Sequence, residues 1–396
     1  MHQERQYELD WLRVGAVVLV LFYHVGMIFV PWEFHIKNKE TSRFLEYVMV
    51  FAHQWRMPLL LFVSGAATLI ALRNYSTGKF LIERHKRLLI PLILAFFIIV
   101  PPQIYIERIN QYSSFFEFYK TVFQFVDYPK GSFSWHHLWF VAYLLCFTMF
   151  SLPILLALKK KSESNILSSV GNFFQKKGSF IFPGLIIIFS QVILLPYFPK
   201  ETHDLLHDWA YFVFYFLFFI YGFLFTSQPK IWSAVKNQRH INLGFAVISL
   251  SVLWWAYWIP DYTLNDYFYG VRFDVIWHSA RILTGWFWVI SILGYAQIFL
   301  NFNKPILKHL NEAVFPFYIL HQTVILIIGY FIIQWSVGLW TKFWIVSFLS
   351  MGSTILIYWF WIRPFNVVRI LFGMKMKQKK SEDKSPLPEL NLLRQE

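Results

Sequence analysis

Along the chain, apolar residues gather into runs of about twenty, separated by short polar stretches or by Pro and Gly. A helix of that length spans a bilayer. Ten such runs are predicted, at about residues 11–30, 48–72, 88–106, 137–157, 179–197, 209–226, 241–259, 278–300, 313–333 and 341–362. The first is too long for a signal-peptide core, carries Arg13 within it, and has no small-x-small cleavage pattern before Pro31, so it reads as a retained span. No internal repeat is visible, nor the paired Gly/Pro-broken spans of inverted-repeat transporters. The pattern predicts an all-α polytopic membrane protein. Its ten-helix domain covers residues 1–365, and a basic, disordered cytoplasmic tail follows over 366–396, resting on anionic lipid headgroups. Two long outer loops are expected. Residues 107–136 hold an aromatic, interfacial segment, and 260–277 hold Asp261, Asp266, Arg272 and Asp274.

Composition sharpens this picture. Of 396 residues, 57% are hydrophobic, 21% aromatic and 15% charged, with mean hydropathy +0.46. Soluble domains carry about 25% charged residues. An ordinary soluble enzyme, a disordered chain and a secreted disulfide scaffold are therefore excluded, the last also because Cys146 stands alone. The net charge of +14 raises nucleic acid as a partner. Its distribution argues otherwise. With the N-terminus inside, 24 Lys and Arg fall on inner segments, 8 on outer loops, and Arg13, Arg56, Arg281 and Lys342 within spans. Positive charge so placed sets topology, with both termini cytoplasmic, and leaves no support for nucleic acid.

Titratable side chains in hydrocarbon are costly, so each one there is a functional candidate. Arg13 and His24 lie 11 residues apart, about 16 Å along a helix and on one stripe. Asp10 sits one turn before Arg13 on the same face. Separately, Arg13 reads as a snorkelling anchor paired with Asp10, and His24 as a polar contact to a neighbouring helix. Together they suit a ligand with an anionic head at the inner face and a reactive end deep in the membrane. Arg84 and Arg87 share a face one turn apart, with Lys86 beside them. They are either positive-inside anchors or a phosphate-binding fork. His53 and Arg56 near the outer end of the second span either close an acceptor pocket or sit at the headgroups. His321 is either a helix–helix contact or a catalytic acid, and Trp139 belongs with interface-belt and packing aromatics. No metal site is assigned: His136 and His137 are adjacent and point apart, and neither HExxH nor CxxC occurs. Ser64 lacks the nucleophile elbow.

The stretches DWLRVGAVVLVLFYH, RMPLLLFVSG, ERHKRLLIP, HLWFVAYLL and FPFYILHQ together resemble the acyltransferase family 3 membrane proteins. That family includes bacterial O-acetyltransferases of surface polysaccharides and periplasmic glucan succinyltransferases. The last stretch, with Tyr318 and His321, looks more like the glucan-modifying branch. The resemblance implies a bacterial inner-membrane O-acyltransferase. It would take an acetyl or succinyl group from cytoplasmic acyl-CoA, a co-substrate rather than a bound cofactor, to a hydroxyl of an extracytoplasmic glycan. Arg84, Arg87 and Lys86 would hold CoA phosphates, Arg13 would contact the donor near its head, and His24 would act as general base or as nucleophile. His53, Arg56, His321, Trp139 and Asp10 would serve the acceptor or support the site. Family members often carry a C-terminal esterase-like domain. The short basic tail is expected to hold none, so the membrane domain completes transfer or passes the acyl group to a separate partner; a homo-oligomer is equally open. The competing reading is a proton-coupled transporter or polysaccharide exporter using His24 and His321.

Overall fold

The structure, a computed structural model, describes residues 5–160, 165–258 and 273–377. Nine helical segments among them are long and apolar enough to cross a membrane. They are built from α1 (Tyr7–Gly26), α2 (Arg43–Asn74), α3 (Thr77–Leu94) continuing into α4 (Pro101–Glu107), α6 (Trp139–Lys160), α9 (Trp209–Ser227), α11 (Arg239–Trp258), α12 (Phe273–Phe299), α13 (Pro305–Ile332) and α14 (Leu339–Ile357). Shorter helices are α5 (Phe115–Tyr119), α7 (Asn165–Phe174), α8 (Ile181–Leu194), α10 (Pro229–Asn237) and α15 (Asn366–Leu371). Among the described residues the strand-like pairing is one isolated bridge, Asp127 to Phe133.

The run predicted at 179–197 is the 14-residue α8, about 21 Å long and shorter than the hydrocarbon layer. It nevertheless counts as a pass. Tyr221 Oη donates to Pro183 O near one end of α8 (3.3 Å), and Gln191 Nε2 donates to Ala210 O near the other (2.8 Å), so α8 runs antiparallel to α9. Parity agrees. Trp11 meets Phe302, His24 meets His321, and the Gly329 backbone lies against Ile28, so α1 and α13 run parallel. Parallel neighbours need an odd number of passes between them, and α8 makes that number odd. Several helices begin earlier than the apolar pattern does. Ser42 Oγ accepts from Leu45 N (3.2 Å) and Ser76 Oγ from Lys79 N (3.4 Å), so capped polar turns extend the helices beyond their apolar lengths.

Two local features shape the core. In the third span, Pro101 and Pro102 cannot donate to the carbonyls one turn back, and the helix relaxes into a π-turn at Ala95–Ile99. Side chains meet the freed carbonyls: Tyr119 Oη bonds Phe97 O (2.8 Å) and Thr323 Oγ1 bonds Ile99 O (2.7 Å). The second feature is the α2–α9 contact. A Cβ on Gly65 would stand 1.9 Å from Phe219 O, and one on Gly222 would stand 1.9 Å from Phe62 O. Glycine on both sides lets these backbones touch.

Residues 107–136 pack Phe118 and Val122 inward while Phe116, Phe123 and Phe125 face outward, as an interfacial segment would. The tail expectation needs correction at its start. Asn366–Leu371 is helical, and Arg369 is buried with Nη2 2.6 Å from Glu312, because that pair satisfies a charge that the composition of the segment alone left solvated. Residues 378–396 lie outside the described residues, as do Asp261, Asp266 and Arg272 and the side chain of Asp274.

Candidate active site

His24 stands near the C-terminal end of α1, and His321 lies 16 residues into α13, which begins at Pro305, well before the expected 313. Their ring nitrogens meet: His24 Nδ1 is 2.8 Å from His321 Nε2. Hydrogen bonding assigns the tautomers. His321 Nδ1 lies 2.6 Å from Tyr318 O, which can only accept. So Nδ1 carries the proton, Nε2 accepts, and His24 must donate from its Nδ1. That leaves His24 Nε2 unprotonated, with no partner among the described residues. His24 is therefore oriented by a histidine that is itself backed by a backbone carbonyl.

His137, which carried no role in the sequence, closes the cluster. Its ring lies 5.1 Å from that of His321 and 6.5 Å from that of His24. His137 Nε2 donates to Ile319 O (3.1 Å), and Tyr318 Oη donates to His137 O. Behind it, Gln103 Nε2 donates to Thr323 Oγ1 (2.8 Å) and Gln322 Nε2 to Gln103 Oε1 (2.9 Å). The double-His motif thus points apart as expected, but one of its two rings points into the site.

Beside His24, Tyr23 connects to the second span. The Arg56 guanidinium lies 3.2 Å from the centre of the Tyr23 ring, a close cation–π contact. Arg56 Nη1 and Tyr23 Oη both approach His53 Nδ1 at 3.2 Å. Both donate, so His53 keeps its proton on Nε2, which faces Glu201 Oε2 at 3.6 Å. Arg56 is buried, and its Nε has no hydrogen-bond partner. Glu201, in the loop between α8 and α9, also takes His203 Nε2 (3.0 Å) and Tyr215 Oη (2.6 Å). Burial alone would raise its pKa, but the ring N–H groups of His203 and His53 that face it hold it well below the usual carboxylate range. Trp139 is no belt residue: it is buried and stacks on His203, ring centres 4.0 Å apart. His53, Glu201, Tyr215, Gln54 and Arg281 line a cavity of about 40 Å³. Glu201 was legible only as an acid among histidines in KETHDLLHD.

At the other end of α1, Arg13 Nη1 lies 3.6 Å from Asp10, which Arg5 also holds at 2.7 Å. Arg84 and Arg87 lie within electrostatic range of Arg13. Arg84 donates to Thr148 Oγ1 (3.2 Å) and Thr68 Oγ1 (3.5 Å). Beside it opens a cavity of about 770 Å³, lined by Arg84, Lys86, Arg87, Lys308, Asn311 and Lys375 among others. Two acids, Glu83 and Glu312, share the wall, and Glu312 is taken by Arg369 and Arg363; among the described residues Arg84, Lys86, Arg87 and Lys308 have no carboxylate within ion-pair distance. Both side-chain polar atoms of Asn311 are buried and unpartnered. This is a large, cation-rich pocket of the kind that takes a polyanion.

Fold and site define a polytopic membrane protein with a histidine pair inside the bundle at one end and a cationic cavity at the other. The family model of the acyltransferase domain matches residues 6–361. The chain belongs to acyltransferase family 3, and it is a multi-pass membrane acyltransferase. It is similar to Escherichia coli proteins named glucans biosynthesis protein C. Those of strains SMS-3-5 and K12 are each 22% identical, and that of O81 (strain ED1a) 23%, over 403 residues, covering 97% of this chain and 98% of each relative. No solved structure matches.

Proposed function

We propose that this acyltransferase moves an acetyl or succinyl group from cytoplasmic acyl-CoA across the bacterial inner membrane to a hydroxyl of an extracytoplasmic glycan or glycolipid. The observation that carries the reading is the division of chemistry along α1. Arg13 and the cation-lined cavity stand at one end, and His24, about 16 Å away by helical rise, stands at the other. A long donor with a phosphorylated head and a reactive thioester fits that division. The name of the Escherichia coli relatives supports a glucan as acceptor.

In this mechanism Arg84, Lys86, Arg87 and Lys308 hold the donor phosphates, and the pantetheine arm runs along the α1 stripe. His24 Nε2 takes the proton of the acceptor hydroxyl as the oxygen bonds to the thioester carbonyl carbon. The C–S bond then breaks, and the proton passes from His24 to the leaving thiolate. His321 holds the ring and stabilises its protonated form, and Arg56 faces the oxyanion. The variant with His24 as acylated nucleophile uses the same tautomer and differs in forming an acyl-imidazole that rapid-quench mass spectrometry detects.

His24→Ala is expected to lower transfer by about 10²–10⁴-fold, with the protein still inserted and folded. Transfer at the normal rate by that variant would overturn the mechanism. Arg84→Gln with Arg87→Gln is expected to raise KM for acyl-CoA more than KM for the acceptor; an unchanged donor KM refutes the phosphate role.

A further inference from the structure

One cluster at the His24 end has no part in this chemistry. His35 lies in the loop after α1, Glu107 ends α4, and His136 stands just before α6. Each offers one ligand atom, and the three atoms lie within 4.8 Å of one another. His35 Nδ1 meets the Glu107 carboxylate, and the His35 and His136 rings stack 4.8 Å apart. A second layer steadies them. Tyr128 Oη donates to Glu107 at 3.0 and 3.2 Å, Ser134 Oγ meets His136 Nδ1 at 2.7 Å, and the Gln322 amide faces His35 Nε2 at 3.4 Å. What remains is His136 Nε2, buried and without a hydrogen-bond partner. His136 also holds a left-handed backbone, φ 42°, which non-glycine residues seldom adopt.

We propose that His35, Glu107 and His136 form a binding site for a divalent transition metal ion, with Zn²⁺ the best match. Two imidazoles and one carboxylate are a donor set that zinc accepts with a fourth position open to water, whereas Mg²⁺ and Ca²⁺ favour oxygen throughout. Tetrahedral zinc with bonds near 2.0–2.1 Å sets ligand atoms about 3.3 Å apart. The widest present separation of 4.8 Å therefore closes by roughly 1.5 Å, within side-chain rotation. The ion replaces the proton that His35 now shares with Glu107, and that proton leaves to solvent; nothing is oxidised or reduced. Hydrogen bonds from Tyr128 and Ser134 are the outer-shell contacts that orient such ligands. The neighbouring His53–Glu201–His203 group is less closely gathered: among the described residues, His35, Glu107 and His136 are the set whose ligand atoms all lie within 4.8 Å of one another.

The three ligands come from three separate segments. Phe34, next to His35, stacks on His24 with ring centres 6.3 Å apart, and His137, next to His136, packs 5.1 Å from His321. A bound ion would tie these segments into one roof over the histidine pair.

The test uses the full chain purified in detergent, stripped with chelator and then titrated with Zn²⁺ or Co²⁺. Wild type is expected to retain about one Zn²⁺ per chain by elemental analysis, and to give Co²⁺ the visible absorption of a tetrahedral site. His136→Ala and Glu107→Gln are expected to weaken binding at least tenfold, while His203→Ala and His207→Ala leave it unchanged. Retention by wild type no greater than by His35→Ala/His136→Ala overturns the proposal, and so does equal loss in His203→Ala. If the double variant fails to fold, His136→Gln, of similar size, decides in its place.

Discussion

The reactivity assigned to His24 depends on a proton that its neighbour fixes. Tyr318 O accepts the hydrogen bond of His321 Nδ1–H, and every later step in the chain of donors follows from that one contact. Removing the orienter should therefore resemble removing the third member of a hydrolase triad. His321→Ala is expected to lower kcat on the order of 10²–10⁴-fold with little change in KM for acyl-CoA, measured by steady-state transfer in proteoliposomes. Glu201 gives a different test. Its pKa is held below the ordinary carboxylate value, so its contribution to stability is full above that value and is lost as pH falls through the depressed one. Thermal unfolding of wild type and Glu201→Gln should differ most near neutral pH and converge only under acid conditions well below about pH 4.3. The sequence could set Arg13 and His24 on one stripe because helical spacing alone relates them. It could not pair His24 with His321, which is 297 positions away, nor bring Glu201 beneath His53, because tertiary packing alone sets those neighbours.

At the level of elements, the ten apolar runs were legible because lipid demands uninterrupted apolar length. Their polar ends and the shortness of α8 within its predicted run were not, since caps and neighbouring helices settle those. The glycine contact makes the point quantitative. Gly65→Ala or Gly222→Ala forces a methyl group into a carbonyl oxygen and is expected to destabilise by about 1–3 kcal/mol or more. Gly244→Ala, with nothing within 4 Å, serves as the comparison in detergent thermal melts. The C-terminal segment, which begins after the matched residues 6–361, contributes Arg369 and Lys375 to the cationic cavity. Lys375→Ala is expected to raise KM for acyl-CoA by several-fold and to spare kcat, read from the same kinetics.

For the whole molecule, the parallel α1 and α13 require both described ends of the chain to emerge on one face. The distribution of basic residues supports our proposal that this face is the cytoplasmic one. Replacing the single Cys146 by Ser permits the check. A membrane-impermeant maleimide should label Lys130→Cys from outside intact cells, and Lys304→Cys only after permeabilisation. Labelling of both from the same side contradicts the topology.

The paired glycines between α2 and α9 bear on how anything crosses. Gly65 sits between Arg56 toward one end of α2 and Thr68, the partner of Arg84, toward the other. With backbone against backbone at its middle, this rod cannot rock against α9 without breaking its tightest contact. Transporters that alternate between two faces swing one bundle about another; the touching backbones make α2 and α9 one unit in any such motion. On the function we propose, this conduit needs no swinging walls: the thioester arm of the donor does the travelling.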